Sequence, residues 1–215
     1  MINSTKLSTL RIFIVALIYI AIPFTAEIIG NILTEQTIAE TLVLCTASLI
    51  LIVMNFDVLE LHAKRLHNKL GDFILFFVVT LLLSTLIFFI NQNCLHVAIW
   101  APNPEAINHY LFFAPTIIFA YTYGTAFCFM IAFKALTDRF KVTVGEKTII
   151  FLSGILFGAI TTLSYCLFVF DFTTILTSFI YYGLLSMIAS YSYNQTHSIL
   201  PMAFGYGTML LLFLF

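Results

Sequence analysis

Tyr181-Tyr-Gly-Leu-Leu-Ser-Met-Ile-Ala-Ser-Tyr-Ser-Tyr-Asn-Gln-Thr-His-Ser-Ile-Leu-Pro201 decides how this chain is read. One apolar run ends there in a short polar, uncharged segment, and the next opens at a proline. Extended outward, the whole of Ile149 to Phe215 consists of such runs with very short connections. A water-soluble fold needs far more polar surface than this. The full chain agrees, being 61% hydrophobic and 9% charged, with 24 Phe and a mean hydropathy of +1.07. The expected fold class is all-α, a polytopic transmembrane helical bundle forming one integral membrane domain over 1–215. Lipid admits only segments whose backbone polar groups are satisfied internally, and helices meet that condition. A net charge of -1 gives no reason to expect a nucleic-acid partner.

The apolar runs place spans at roughly 11–33, 38–56, 73–90, 110–133, 148–170, 172–193 and 199–215. Each is near the ~20 residues that cross the hydrocarbon, the last somewhat short. The first is too long for a signal-peptide core and lacks a clean cleavage site, so it reads as a mature helix, kinked at Pro23. With the N-terminus inside, the inner segments are 1–11, 57–71, 134–147 and 194–198. They hold all nine basic residues: Lys6, Arg11, Lys64, Arg65, Lys69, Lys134, Arg139, Lys141 and Lys147. The outer segments hold none, the asymmetry of the positive-inside rule. The longest of them, Asn91 to His109, carries Trp100, Pro102 and Pro104 and is expected to form an interfacial cap. The expected location is a cell membrane, multi-pass, and the short loops suit a bacterial inner membrane.

Few side chains offer chemistry. The acid well inside a span is Glu27, on the outer half of the first helix, a candidate buried polar site. Its bland alternative is a protonated or snorkelling carboxyl. His62 and His67 lie five apart in the charged inner segment, the wrong spacing for two zinc ligands on one helical face, and read as solvated loop residues. The four cysteines form no Cys-x-x-Cys pair, so neither a disulfide framework nor a metal cluster is expected. Gly154-Ile-Leu-Phe-Gly158 is a GxxxG, a place for close helix approach. Tyr181, Tyr182, Tyr191 and Tyr193 read as an aromatic interface belt. No cofactor is expected.

From about 110 to 215 the layout resembles the CPBP family, the CAAX-protease and bacteriocin-processing (Abi) membrane proteins. Phe179 to Pro201 looks like the approach to that family's last motif, and Ser153-Gly-Ile-Leu-Phe-Gly158 like the approach to its Phe-x-x-x-His motif. The resemblance implies paired glutamates and an arginine on one helix, then histidines on the next and the last. Together these activate water within the membrane. The matching positions depart from that pattern. The glutamates would fall at Gly124 and Thr125 and the arginine at Phe129. Phe157 matches the motif phenylalanine, but Thr161 stands where His belongs, and Gly205 and Met209 replace the final His and Asn or Asp. Among these, no side chain serves as a general base or metal ligand at neutral pH.

The expected function is therefore non-catalytic. The chain reads as a degenerate CPBP-like bundle in the lipid bilayer that binds a membrane protein or peptide partner, with bacteriocin immunity as one such role. One alternative is a small transporter, or a substrate-binding membrane subunit, for an apolar solute. Another is an active intramembrane protease using unconventional residues such as Glu27 with His109, both expected toward the outer side, whereas His197, expected inside, could not join them.

Overall fold

The computed structural model describes residues 7–33, 36–97, 114–140, 146–166 and 171–213. Their regular structure is all helical: α1 (Thr9–Leu33), α2 (Gln36–Met54), α3 (Phe56–Asn68), α4 (Leu70–Ile90), α5 (Ala114–Phe140), α6 (Glu146–Cys166), α7 (Phe172–Thr196) and α8 (Leu200–Phe213). A single π-turn, Asn91–Leu95, extends α4. Four helical segments, Thr9–Leu33, Leu70–Leu95, Ala114–Ala135 and Phe172–Thr196, are long and apolar enough to cross a membrane. The bent pair α2 and α3 makes a fifth if it counts as one span, and two further apolar helices are shorter. Helices of this length and composition suggest a membrane protein.

The segment after α2, expected to be a loop, is helical. The chain turns by 79° between α2 and α3. Asp57 in the first turn of α3 and Arg65 and His67 in its last turn complement the helix dipole. Glu60 pairs with Lys64 one turn on at 2.6 Å. Val58 and His62 are buried, whereas Glu60, Lys64 and His67 are exposed, so one face of α3 lies on the bundle. The arrangement is tied to α1 by a forked ion pair, with Arg11 reaching both oxygens of Asp57 at 2.8 and 3.0 Å. That hydrogen-bonded guanidinium holds the Asp57 carboxyl below the usual carboxylate range.

α5 is the axle of the bundle, packed by α1, α2, α6, α7 and α8. Tyr121, Phe129, Met130 and Phe133 on it are fully buried. α6 and α7 form the most extensive pair. Their closeness comes from three glycines. A Cβ on Gly158 would meet the Phe179 carbonyl at 3.0 Å and the Gly183 Cα at 3.1 Å, and one on Gly183 would meet the Gly154 carbonyl at 3.3 Å. The GxxxG is thus a packing surface. α7 starts cleanly because Asp171 accepts from the Thr174 backbone N–H and hydroxyl, each at 2.9 Å.

α8 runs parallel to α4 and begins beside its middle. The Thr80 hydroxyl, bonded to the Phe76 carbonyl at 2.8 Å, lies 3.1 Å from the Pro201 carbonyl. A Cβ on Gly205 would collide with Thr80. At the other end Phe213 packs on Phe88 and Phe89 at 5.4 and 5.5 Å between ring centroids. On its second side α8 is fixed to α5 by the hydrogen bond between the Tyr123 and Thr208 hydroxyls at 3.0 Å.

Candidate functional site

The positions singled out by the resemblance are packing positions. Phe129 and Phe157 meet edge to face at 5.0 Å, with Tyr206 5.7 Å from Phe129 and Tyr19 5.4 Å from Phe157. Phe133 adds a further edge to Phe157 at 6.0 Å. The space between α5, α6 and α8 is therefore filled by aromatic rings, which favour such edge contacts. Thr161 is buried beside Tyr19, and Met209 is fully buried. The other positions lie elsewhere in the bundle. Gly124 faces the Leu44 carbonyl of α2, where a Cβ would sit 3.5 Å away. Thr125 turns its hydroxyl back to the Tyr121 carbonyl at 2.8 Å, and Gly205 seats α8 on α4. Among the described residues no three His, Cys, Asp or Glu side chains converge in metal-binding geometry.

A second assembly is polar, and sits where α7 turns into α8. α7 ends as His197 adopts a left-handed conformation, φ 52°, and its N–H bonds the Tyr193 carbonyl at 2.8 Å. Ser198 then caps α8, its hydroxyl accepting from the Leu200 N–H at 3.3 Å. Ser198, Ile199 and Leu200 are all buried. Irregular backbone at such depth needs cover from protein, and α3 supplies it. Arg65 donates to the His197 carbonyl at 3.1 Å, and the His62 ring lies 6.0 Å from Tyr193. From α5, Lys134 reaches the Tyr193 hydroxyl at 2.9 Å, its ammonium 5.1 Å from the ring centre.

The burial of this assembly is unusual for its composition. Lys134 is 2% exposed, His62 0% and Asn194 8%. Ser190 and Asn194 share the inward face of α7 with Tyr193, and neither the Ser190 hydroxyl nor either amide atom of Asn194 has a hydrogen-bond partner. Burial, followed by the charges of Lys134 and Arg65, pushes the His62 imidazole down to about 3, partly opposed by the backbone of His197. His62 is thus neutral at physiological pH. Chemically the recess offers cationic and neutral donors. The carboxylates of α3 and of the first turn of α4, Asp57, Glu60 and Asp72, are exposed and lie beside Arg11, Lys64 and Lys69 respectively.

Other expected features fall apart in space. Glu27 lies on the exposed face of α1, sixteen residues, or about 24 Å of helix, beyond Arg11. It does not meet His197 at the elbow between α7 and α8. His109, Trp100, Pro102 and Pro104 lie outside the described residues, as does most of the expected interfacial cap. Within its first part, Asn91 is buried and bonds both the N–H and the carbonyl of Val97, at 2.9 and 3.0 Å. Of the two inner histidines, His67 is exposed as expected, but His62 is enclosed. The tyrosine belt is corrected likewise. Tyr191 is exposed, while Tyr181, Tyr182 and Tyr193 point into the protein. Lys134, assigned by its charge to a loop, is on α5, which continues to Phe140. The signal for Lys134 was present as helical spacing, since it follows Met130 and Phe133 on one buried face. An apolar cleft of about 310 Å³ also opens between α1 and α2, lined by Leu17, Ala21, Thr25, Val43 and Ala47 among others. Compared with protein-family models, curated proteins and solved structures, the chain matches none.

Proposed function

We propose that this protein is a non-catalytic, multi-pass membrane protein that binds a peptide or protein partner within the bilayer, on a degenerate CPBP-like core. The observation that carries the reading is the stack of Phe129, Phe157, Tyr206 and Tyr19. Hydrolysis needs a general base and a polarising group held around a water molecule. Here close-packed rings fill the space among the helices that would have to supply them. A bundle of this kind acts by occupying or sequestering a partner, as an immunity protein does.

The topology belongs to the same proposal. Seven crossings with the N-terminus inside put all nine Lys and Arg on one side. The Arg11–Asp57 pair supports it, because it brings the start of α1 to α3, two segments assigned to the same side. α8 is then a short seventh crossing in a bacterial inner membrane.

The test is direct. Protein purified in mild detergent is assayed for metal content and for cleavage of a peptide panel that includes prenylated substrates. Substoichiometric metal and no cleavage are expected. Stoichiometric zinc with turnover overturns the reading and makes the chain an enzyme with unconventional ligands. Topology is tested separately in intact cells, where an impermeant maleimide should label exposed Cys94 and should not label a Lys64→Cys variant that also carries Cys94→Ser. The reverse pattern inverts the orientation.

A further inference from the structure

We propose that the cleft between α6 and α7, at the end where α7 begins, holds one ester-linked phospholipid with a primary ammonium headgroup, the ammonium at Asp171 and an ester carbonyl at Thr162. The cleft has a volume of about 320 Å³, with Ala159, Leu163, Ile175, Leu176 and Phe179 around Thr162. α6 and α7 run antiparallel, Gly154 opposite Met187 and Gly158 opposite Phe179, and one turn beyond Gly158 the glycine contact gives way to this gap. Leu163 and Leu176 on its walls are exposed, so it opens sideways out of the bundle. α7 is long and apolar enough to cross a membrane, which makes lipid the surroundings of that opening.

Two polar groups select the occupant. Thr162 is 4% exposed, and its hydroxyl has no hydrogen-bond partner. Other helical threonines, Thr25, Thr122, Thr125 and Thr177, bond the carbonyl four residues back at 2.8 to 2.9 Å. A plain hydrocarbon chain in the cleft would leave the Thr162 hydroxyl unpaired, which is costly for a buried donor. An occupant with an acceptor at that depth removes the cost. The second group is Asp171. With Ile175 and Phe179 it forms an i, i+4, i+8 row on α7, so it stands at the end of the same wall, where α7 begins. Asp171 is exposed, and both of its bonds to Thr174 fall on Oδ2. Those bonds hold its carboxyl below the usual carboxylate range, so it is charged. No Lys or Arg follows Lys147 in the chain, so neither α7 nor α8 supplies a countercharge. An acid at the rim, a lone hydroxyl beneath it and an apolar trough repeat the order of groups in a phospholipid: ammonium, ester, acyl chain. A primary ammonium gains a charge-assisted hydrogen bond at Asp171. A quaternary ammonium has no N–H to donate, and an anionic headgroup is repelled.

The protein is reconstituted in nanodiscs of equal parts phosphatidylethanolamine, phosphatidylcholine and phosphatidylglycerol, and the lipid it retains on release is identified by native mass spectrometry. A second preparation offers ester-linked and ether-linked phosphatidylethanolamine, which differ in the carbonyl. Wild-type protein is expected to retain one phosphatidylethanolamine selectively, and the ester form over the ether form by about two- to tenfold. Thr162→Val keeps the shape and should abolish the ester preference while leaving the headgroup preference. Asp171→Asn keeps the helix cap and should abolish the preference over phosphatidylglycerol, worth about two- to fivefold for an exposed charge. Helical content should be unchanged in both. If Thr162→Val fails to fold, the ester and ether comparison on the wild type decides. The proposal is overturned if the wild type retains all headgroups alike, if ester and ether forms bind alike, if a co-purifying peptide is retained in place of lipid, or if the folded variants keep the wild-type preferences. The inference goes beyond the non-catalytic reading and needs only that the start of α7 lie at a membrane surface. Peptide turnover would leave the lipid result untouched, and loss of lipid selectivity would leave the cleavage result untouched.

Discussion

The two halves of α7 are packed by opposite means. From Phe172 to Gly183 it meets α6 through glycines, backbone against backbone, with little room for a side chain. From Ser186 to Thr196 it turns hydroxyls, an amide and a tyrosine into the protein, and Tyr193 among them meets Lys134 and His62. In the first half, fit depends on the absence of atoms. In the second, it depends on charge and hydrogen bonding, several groups of which lack partners. Close packing tolerates no added volume, whereas a polar recess responds to pH and to its neighbours' charges. The halves should therefore break under different perturbations.

The largest effect is expected in the glycine half. Gly158→Leu should cost roughly 3 kcal/mol or more, because its Cβ already abuts the Phe179 carbonyl and the Gly183 Cα, and backbone cannot move aside. Thermal unfolding in detergent and loss of monodispersity measure it. Gly71→Leu is the control. A Cβ there meets nothing within 4 Å, and the change should cost less than ~1 kcal/mol. Equal damage from the two would show that the contact is not backbone-limited.

The next effect belongs to the polar half and to pH. His62 takes up its proton less readily when folded, near 3, than when unfolded, near its ordinary 6.5. The unfolded or opened state therefore binds more protons between those values. Stability should be constant above about pH 7 and fall as pH drops through 6.5, by at most ~1.4 kcal/mol per unit. The charged or titratable side chains shown against it are Lys134, Arg65 and Tyr193. His62→Leu should flatten the unfolding midpoint between pH 7 and 5. An unchanged slope in that variant would place the pH dependence elsewhere.

Smaller again is the bond between Lys134 and Tyr193. A double-mutant cycle of Lys134→Met and Tyr193→Phe is expected to give a coupling of about 1–2 kcal/mol. Additivity would mean that the two act separately. The smallest effect is outside the recess altogether. Asp57→Asn should lose under ~1 kcal/mol at low salt and nothing at high salt, as for an exposed pair.

The two halves also differed in how well they could be read from sequence. Apolar runs give helix positions to within a few residues, as the expected 172–193 against Phe172–Thr196 shows, and Gly154-x-x-x-Gly158 announces its contact by spacing alone. The polar recess was hidden by rules that work on average. Counting lysines as loop residues moved Lys134 out of α5, and a dense run of charge disguised α3, whose buried face carries Val58 and His62. Tyrosines near a span end are ambiguous because α7 carries them on both faces, Tyr191 outward and Tyr193 inward. Which way each points depends on helices distant in sequence, α3 and α5, and no local pattern encodes that.

The shortness of α8 bears on how the protein is made. The fourteen described residues of α8 make about 21 Å of helix, against ~30 Å of hydrocarbon, a length that favours entry beside a partner helix over entry alone. Its connection to α7 is only three residues, 197–199, which favours insertion of the two as a hairpin. The seat it needs, Thr80 on α4 and Tyr123 on α5, leaves the ribosome first. Synthesis order thus doubles as assembly order, and a circular permutant that emits Leu200–Phe213 ahead of α4 should strand that helix before its groove exists.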